Sequence, residues 1–107
     1  MKDGDLVLCD VGAKKSNICS DITTTFPVNG KYSKIQKDIY DVVLDAQLTA
    51  IKATKPGVNH REISKASNRK IVEGLLKLGL IKGELEELIQ KGVDRTFMPH
   101  SLSHYIG

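Results

Sequence analysis

Tryptophan is absent from the 107 residues, and aromatic side chains make up only 5% of them. A core built from this chain therefore has to be aliphatic. A platform for stacking single-stranded bases lacks its material. Cysteine occurs twice, as Cys9 and Cys19, at a spacing that fits neither a zinc ribbon nor a CxxC redox pair. No apolar run approaches the roughly 18 residues of a membrane helix. The opening Met1-Lys2-Asp3-Gly4-Asp5 lacks the apolar stretch of a secretory signal. The expectation from these absences is a cytoplasmic chain with two ordinary free thiols and no membrane partner. Neither sign of charge dominates, since 16 Lys+Arg against 13 Asp+Glu leaves only +3. The basic residues are scattered, so a solvated surface is the favoured reading and no nucleic-acid partner is expected.

What is present suits one folded domain over residues 1–107, because 40% hydrophobic and 27% charged residues exclude a disordered tail. Leu6 to Val11 is short, apolar and β-branched, and predicts a buried strand. Gly12 to Asn17 supplies turn residues, and Ile18 to Val28 predicts a second strand, giving a hairpin with a longer-than-minimal loop. Pro27 and Asn29-Gly30 end it. Ser33, three residues before Gln36, has the spacing of a capping box and opens a helix. Ile35, Ile39, Val42, Val43, Ala46, Ala50 and Ala53 form its apolar stripe, and Lys55-Pro56-Gly57 stops it. Asn59 with Glu62 repeats the signature ahead of a second helix from His60 to Leu78, with Ile63, Ala66, Ile71, Leu75 and Leu78 inward and Gly79 as its cap. Glu84 to Lys91 predicts a short third helix closed by Gly92. Arg95 to Gly107 reads as partly extended and stops within what looks like an element, which suits a piece of something larger. The expected class is α+β: a β-hairpin, two long helices, one short helix, then an extended strand.

Two carboxylates stand out in the hairpin. With the turn centred between Lys15 and Ser16, Asp10 faces Asp21, with Cβ atoms about 4.5–5.5 Å apart. Like charges so placed on apolar strands call for a shared proton or a cation between them. The bland alternative is a pair of solvated side chains at strand edges, and a one-residue slip would turn one of them to the other face. Thr23, Thr24 and Thr25 offer hydroxyls beside Asp21. In the last stretch Pro99, Ser101 and Ser103 argue against a helix, and an extended strand would put His100, Leu102 and His104 on one face. His60, at a helix start, reads as a surface residue.

Asp10-Val11-Gly12, the run Ser20-Asp21-Ile22-Thr23-Thr24-Thr25-Phe26-Pro27-Val28-Asn29-Gly30, the Lys55-Pro56-Gly57 stop and the final Phe97-Met98-Pro99-His100-Ser101-Leu102-Ser103-His104-Tyr105-Ile106-Gly107 together resemble the Xaa-Pro peptidases, prolidase and aminopeptidase P, of the pita-bread metallopeptidase superfamily. The likeness covers nearly the whole chain. Met98-Pro99 and Leu78-Gly79-Leu80 look more like prolidase, the Xaa-Pro dipeptidase. The resemblance implies part of a pita-bread catalytic domain. It also implies two divalent metals held by two Asp, one His and two Glu. Asp10 would bind one metal, Asp21 would bridge both, and His104 would bind the other. His100 would contact substrate. Carboxylates with one imidazole suit manganese, with cobalt or zinc as substitutes. The implied substrate is a proline-containing dipeptide or peptide.

The family's two Glu ligands lie downstream of its histidine motif. Glu62, Glu73, Glu84, Glu86 and Glu87 fall in the helical region and match neither. Ser101 stands where the family usually has Gly, and Thr24 where many members have Arg. With three of five ligands, the expectation is that this chain alone does not hydrolyse peptides. Exposed apolar faces would favour homo-oligomers, with elements exchanged between copies. Two other readings remain: a non-catalytic pita-bread binding module, and a small basic interaction domain that would leave the matched motifs unexplained.

Overall fold

The computed structural model describes residues 1–106. Its contacts divide them into two compact units, Met1–Gln36 with the segment from Ser103, and Lys37–Leu102.

The first unit is built on a hairpin. Strands β1 (Leu6–Val11) and β4 (Ile22–Pro27) pair antiparallel, from Leu6 opposite Pro27 to Val11 opposite Ile22. A second, smaller ladder continues the same hairpin, with β2 (Lys14–Lys15) against β3 (Ile18–Cys19). Ser16 and Asn17 make the turn, with φ of +52° and +65°. Positive φ at both central residues belongs to the mirror-image turns whose twist matches antiparallel strands. The expected long loop over Gly12 to Asn17 is therefore replaced by a two-residue turn on a longer hairpin. Asn tolerates that left-handed backbone, which centres the turn one position later than expected. Between the two ladders, the Ser20 N–H donates to the Ala13 carbonyl at 2.8 Å and the Ala13 N–H to Ser20 Oγ at 3.0 Å. Of the apolar strand residues, Leu8, Val11 and Ile22 are exposed, so the strand expected to be buried is half covered at most.

The capping box forms as the spacing predicted. The Ser33 N–H donates to Gln36 Oε1 at 2.9 Å, and the Gln36 N–H to Ser33 Oγ at 3.3 Å. Gln36 Nε2 also donates to the Gly4 carbonyl at 2.8 Å, tying the helix start to the entry of the hairpin. Helix α1 runs Lys34–Ala53. Ser33→Ala removes one of these bonds and should cost about 1 kcal/mol, read as a lower urea midpoint with an unchanged slope.

In the second unit, Val42 and Ala46 of α1 pack with Ile71 and Leu75 of α2 (His60–Lys77), joined by Ile81 and Met98. Small side chains permit the approach: Ala46 and Ala50 are buried, and Gly74 lies against Val42. The buried residues of α1 are Ala46 and Ala50, with Val42 partly buried beside them. Ile35, Ile39 and Val43, expected on the stripe, stay exposed at 48%, 39% and 52%. On α2 the buried set is Ile63, Ser67, Ile71, Val72 and Leu75, so Ala66 and Leu78 are only half-buried while Val72 is fully covered. Gly79, at φ +73°, ends α2 as expected. Its N–H reaches the Leu76 carbonyl and that of Leu80 the Leu75 carbonyl, the paired bonds of a Schellman cap.

Helix α3 spans Leu85–Gln90. Gly92, at φ +77°, closes α3 as expected, its N–H reaching the Ile89 carbonyl at 3.1 Å, and also opens a further turn that was not expected, α4 (Val93–Phe97). The expectation of extended chain from Arg95 is corrected there. Asn68 of α2 donates to Asp94 at 3.2 Å, and Arg69 pairs with Glu86 at 2.5 Å, so both short helices are tied to α2. After Phe97 the described chain forms neither helix nor strand. A strand needs a ladder partner, and among the described residues none pairs with this segment. Gly107, the last residue of the histidine motif, lies outside the described residues.

Candidate metal centre

The hairpin register decides where the carboxylates stand. Asp10 is opposite Thr23, not Asp21. The two-residue turn at Ser16 and Asn17 moves the pairing by two positions, so Asp21 is diagonal to Asp10 rather than facing it. In a regular ladder that diagonal is about 7–8 Å. Direct repulsion across a facing pair, the basis for expecting a cation there, is relaxed accordingly. In place of a second carboxylate, Asp10 meets a donor: Thr23 Oγ1 donates to Asp10 Oδ1 at 3.0 Å.

Gly12 sets the approach of the strands between the two ladders. A Cβ there would overlap the carbonyl oxygen of Ser20. Asp21 follows Ser20 directly, and Asp10 stands two residues before Gly12, so this close approach lies next to both acidic residues.

The far end of the chain supplies the imidazole. His104 Nε2 lies 3.1 Å from Asp21 Oδ2, and Nδ1 lies 2.7 Å from the Tyr105 carbonyl. A ring nitrogen facing a carbonyl must carry the proton, so Nδ1–H is the donor and Nε2 is the nitrogen turned to the carboxylate. The Tyr105 carbonyl does most to raise the imidazole pKa above its usual value; desolvation, the next-largest effect, opposes it, and the Asp21 charge, the Asp21 hydrogen bond and the Asp10 charge add smaller raises in that order. Both carboxylates therefore act on the same ring, although only Asp21 touches it.

Carboxylate and imidazole, which meet here as an ion pair, are also donor types that divalent cations take. Two ligands each about 2.1 Å from one ion, at roughly a right angle, stand about 3 Å apart. That is the separation of Nε2 and Oδ2 here. Orientation of the ring by a carbonyl on Nδ1 is the usual arrangement of a metal-binding histidine. Among the described residues, however, no set of three or more His, Cys, Asp or Glu side chains is arranged to hold a metal ion.

His100 falls in the second unit, on an exposed bend after Pro99. It shares no strand face with His104, because Ser103 has φ +61° and breaks any alternation. His60 is exposed as expected, but its Nε2 meets the Leu102 carbonyl and so ties the terminal segment to the start of α2. Reading the hairpin from the residue types missed Thr23 as the partner of Asp10. The signal was present in Ser16-Asn17, a pair of turn residues that tolerates positive φ better than Lys15-Ser16.

The pattern of metallopeptidase family M24 matches residues 1–107. The Xaa-Pro aminopeptidase of Escherichia coli is 45% identical over 107 residues, which are 100% of this chain and 24% of that protein. A probable Xaa-Pro aminopeptidase, PEPP, of Blastomyces gilchristii is 43% identical over 101 residues, 94% of this chain and 22% of its own. Among solved structures, zinc-substituted E. coli aminopeptidase P in complex with product gives a TM-score of 0.91 at 44% identity, over 100% of this chain and 24% of that one. Pseudomonas aeruginosa aminopeptidase PepP gives 0.86 at 43% identity, over 90% and 22%. The helices and small antiparallel sheets described above are thus part of the pita-bread fold of aminopeptidase P. The chain spans about a quarter of the length of the curated relatives it matches.

Proposed function

The chain belongs to metallopeptidase family M24, and from that premise we propose that it contributes Asp10, Asp21 and His104 to a metal centre that hydrolyses Xaa-Pro peptide bonds. The observation that carries this reading is the 3.1 Å approach of His104 Nε2 to Asp21 Oδ2, made by residues from opposite ends of the chain. The solved variants of E. coli aminopeptidase P add support. Two of them replace aspartates whose positions differ by eleven, the spacing of Asp10 and Asp21. Another replaces a histidine ninety positions after the first aspartate, the spacing from Asp10 to His100.

In this reading residues 1–107 are part of a catalytic domain. Asp10, Asp21 and His104 hold divalent cations, manganese first, with cobalt or zinc as substitutes. His100 contacts substrate. When bound, the cations supply Lewis acidity towards water and the scissile carbonyl. Asp21 and His104 provide facing donors, and the Tyr105 carbonyl keeps the imidazole in the tautomer that leaves Nε2 to ligate. The relatives are named Xaa-Pro aminopeptidases, which favours an aminopeptidase over the dipeptidase that Met98-Pro99 pointed to. With three of five ligands, this chain by itself leaves the centre incomplete and is inactive alone. Its unpaired thiols fit a reducing, cytoplasmic setting. Its exposed Leu8, Val11, Ile18 and Ile22 favour self-association. The non-catalytic alternative gives no reason for Asp21 and His104 to meet.

Titration of the chain with Mn²⁺, beside Asp21→Asn, tests the centre. The expected result is weak binding by the unaltered chain, reduced at least tenfold in the variant. Equal binding by both overturns the assignment of Asp21. Incubated alone with Xaa-Pro dipeptides and with longer Xaa-Pro peptides, the chain is expected to release no product above background. Release by the chain alone would overturn the view that its ligand set is incomplete.

A further inference from the structure

Of three consecutive threonines, only one stands opposite a carboxylate. Thr24 is paired with Cys9 and Thr25 with Leu8, while Thr23 is paired with Asp10. Alternation along a strand sends Thr24 to the other face. Thr25 shares the face of Thr23 but stands opposite Leu8, which offers no carboxylate.

The bond from Thr23 Oγ1 to Asp10 Oδ1, at 3.0 Å, has a direction that matters. An ionised carboxylate only accepts, so the hydroxyl is the donor. It engages Oδ1, one of the two carboxylate oxygens. Threonine is stiff at χ1, so the donor position is set by the β4 backbone. Asp10, by contrast, has two rotatable side-chain torsions and is exposed. Left alone, it would have to give up that freedom when it ligates.

We propose that Thr23 is a positioning residue for the metal centre: it holds Asp10 by Oδ1, and Oδ2 would be the oxygen left to ligate a cation. The inference rests on the metal-site reading above and adds a residue to it. Hydrogen-bond partners of ligating carboxylates typically change metal affinity by 10–100-fold when removed. Thr23→Val keeps the shape and the β-branch but removes the donor. Thr23→Ser keeps the donor and removes the methyl. An effect of the hydroxyl and an effect of strand packing therefore move in opposite variants.

The experiment is a Mn²⁺ titration of the 107-residue chain, read by loss of the free-ion electron paramagnetic resonance signal. It is run at a temperature where the variants' circular dichroism spectra superimpose. Thr23→Val is expected to weaken binding about tenfold, while Thr23→Ser and Thr24→Val stay within about twofold of the unaltered chain. Should Asp10→Asn weaken binding and Thr23→Val leave it unchanged, the positioning role falls while the metal centre stands. Should Thr23→Ser lose as much as Thr23→Val, packing rather than the hydroxyl is responsible, and the proposal also falls. Should Asp10→Asn bind as the unaltered chain does, the metal reading falls and takes this inference with it.

Discussion

Gly74→Ala is expected to lower the stability of the helical unit by about 1–3 kcal/mol, a fall of roughly 5–15 °C in melting midpoint for a unit of this size. The direction runs against helix propensity, by which Ala in a helix interior gains about 1 kcal/mol over Gly. Tertiary contact decides the sign. A Cβ on Gly74 would stand 2.5 Å and 2.6 Å from the two γ-carbons of Val42. Carbon atoms in ordinary contact are about 3.5–4.0 Å apart. Val42 is β-branched and on a helix, where one χ1 rotamer dominates, so it cannot swing clear. The strain has to be taken up by separating α1 from α2, which opens the packing of Ala46 on Ile71 and Leu75. Val42→Ala should partly rescue the variant. A double-mutant cycle is then expected to show coupling of about 1 kcal/mol or more. A Gly74→Ala chain as stable as the parent would show that the two helices do not approach through this position.

Gly12→Ala should disrupt the hairpin at its waist, at a cost of about 3 kcal/mol. The overlapping atom is a backbone carbonyl oxygen, that of Ser20, so no rotamer change relieves it. Two hydrogen bonds lie beside the contact, Ser20 N–H to Ala13 O and Ala13 N–H to Ser20 Oγ, and separating the strands breaks both. Amide hydrogen exchange checks this directly. The Ser20 and Ala13 amides should lose protection in the variant, while those of α2 keep theirs. Mn²⁺ affinity should fall with them, because the displacement moves Asp21 away from His104. Unchanged protection at Ser20 would mean that the strands accommodate a side chain and that Gly12 does not set the site.

The acid and base behaviour of the surface is modest by comparison. Glu86 is held below its usual pKa by the hydrogen bond and then the charge of Arg69. A carboxylate lowered in the folded state contributes stability above its unfolded pKa and loses it as pH falls through the folded value. Both partners are exposed, at 47% and 70%, so the contribution is screened.

How much of this was legible in residue order depends on whether the cause was local. The capping box at Ser33 and Gln36 and the Gly79 cap were readable because a few neighbouring atoms decide them. The boundaries of both long helices followed from their capping and stop signals, and those of β1 from its short apolar run. The helical turn at Val93–Phe97 was missed because its residues carry no helical stripe; it is tied to α2 through Asp94 and Asn68. The hairpin register was misjudged by one turn position, and the partner of Asp10 changed from a like charge to a hydroxyl donor.

The candidate ligands divide along the same line. Residue type, spacing and the family resemblance singled out Asp10, Asp21 and His104 as ligands and His100 as a substrate contact, since chemistry and resemblance reside in the letters. Which of them touch, and through which oxygen or nitrogen, was decided only by the folded chain. Those contacts depend on a turn conformation and on the return of the chain's far end, and neither is encoded within any short window. Side-chain identity is a property of one position, whereas a 3.1 Å contact is a property of the path between two.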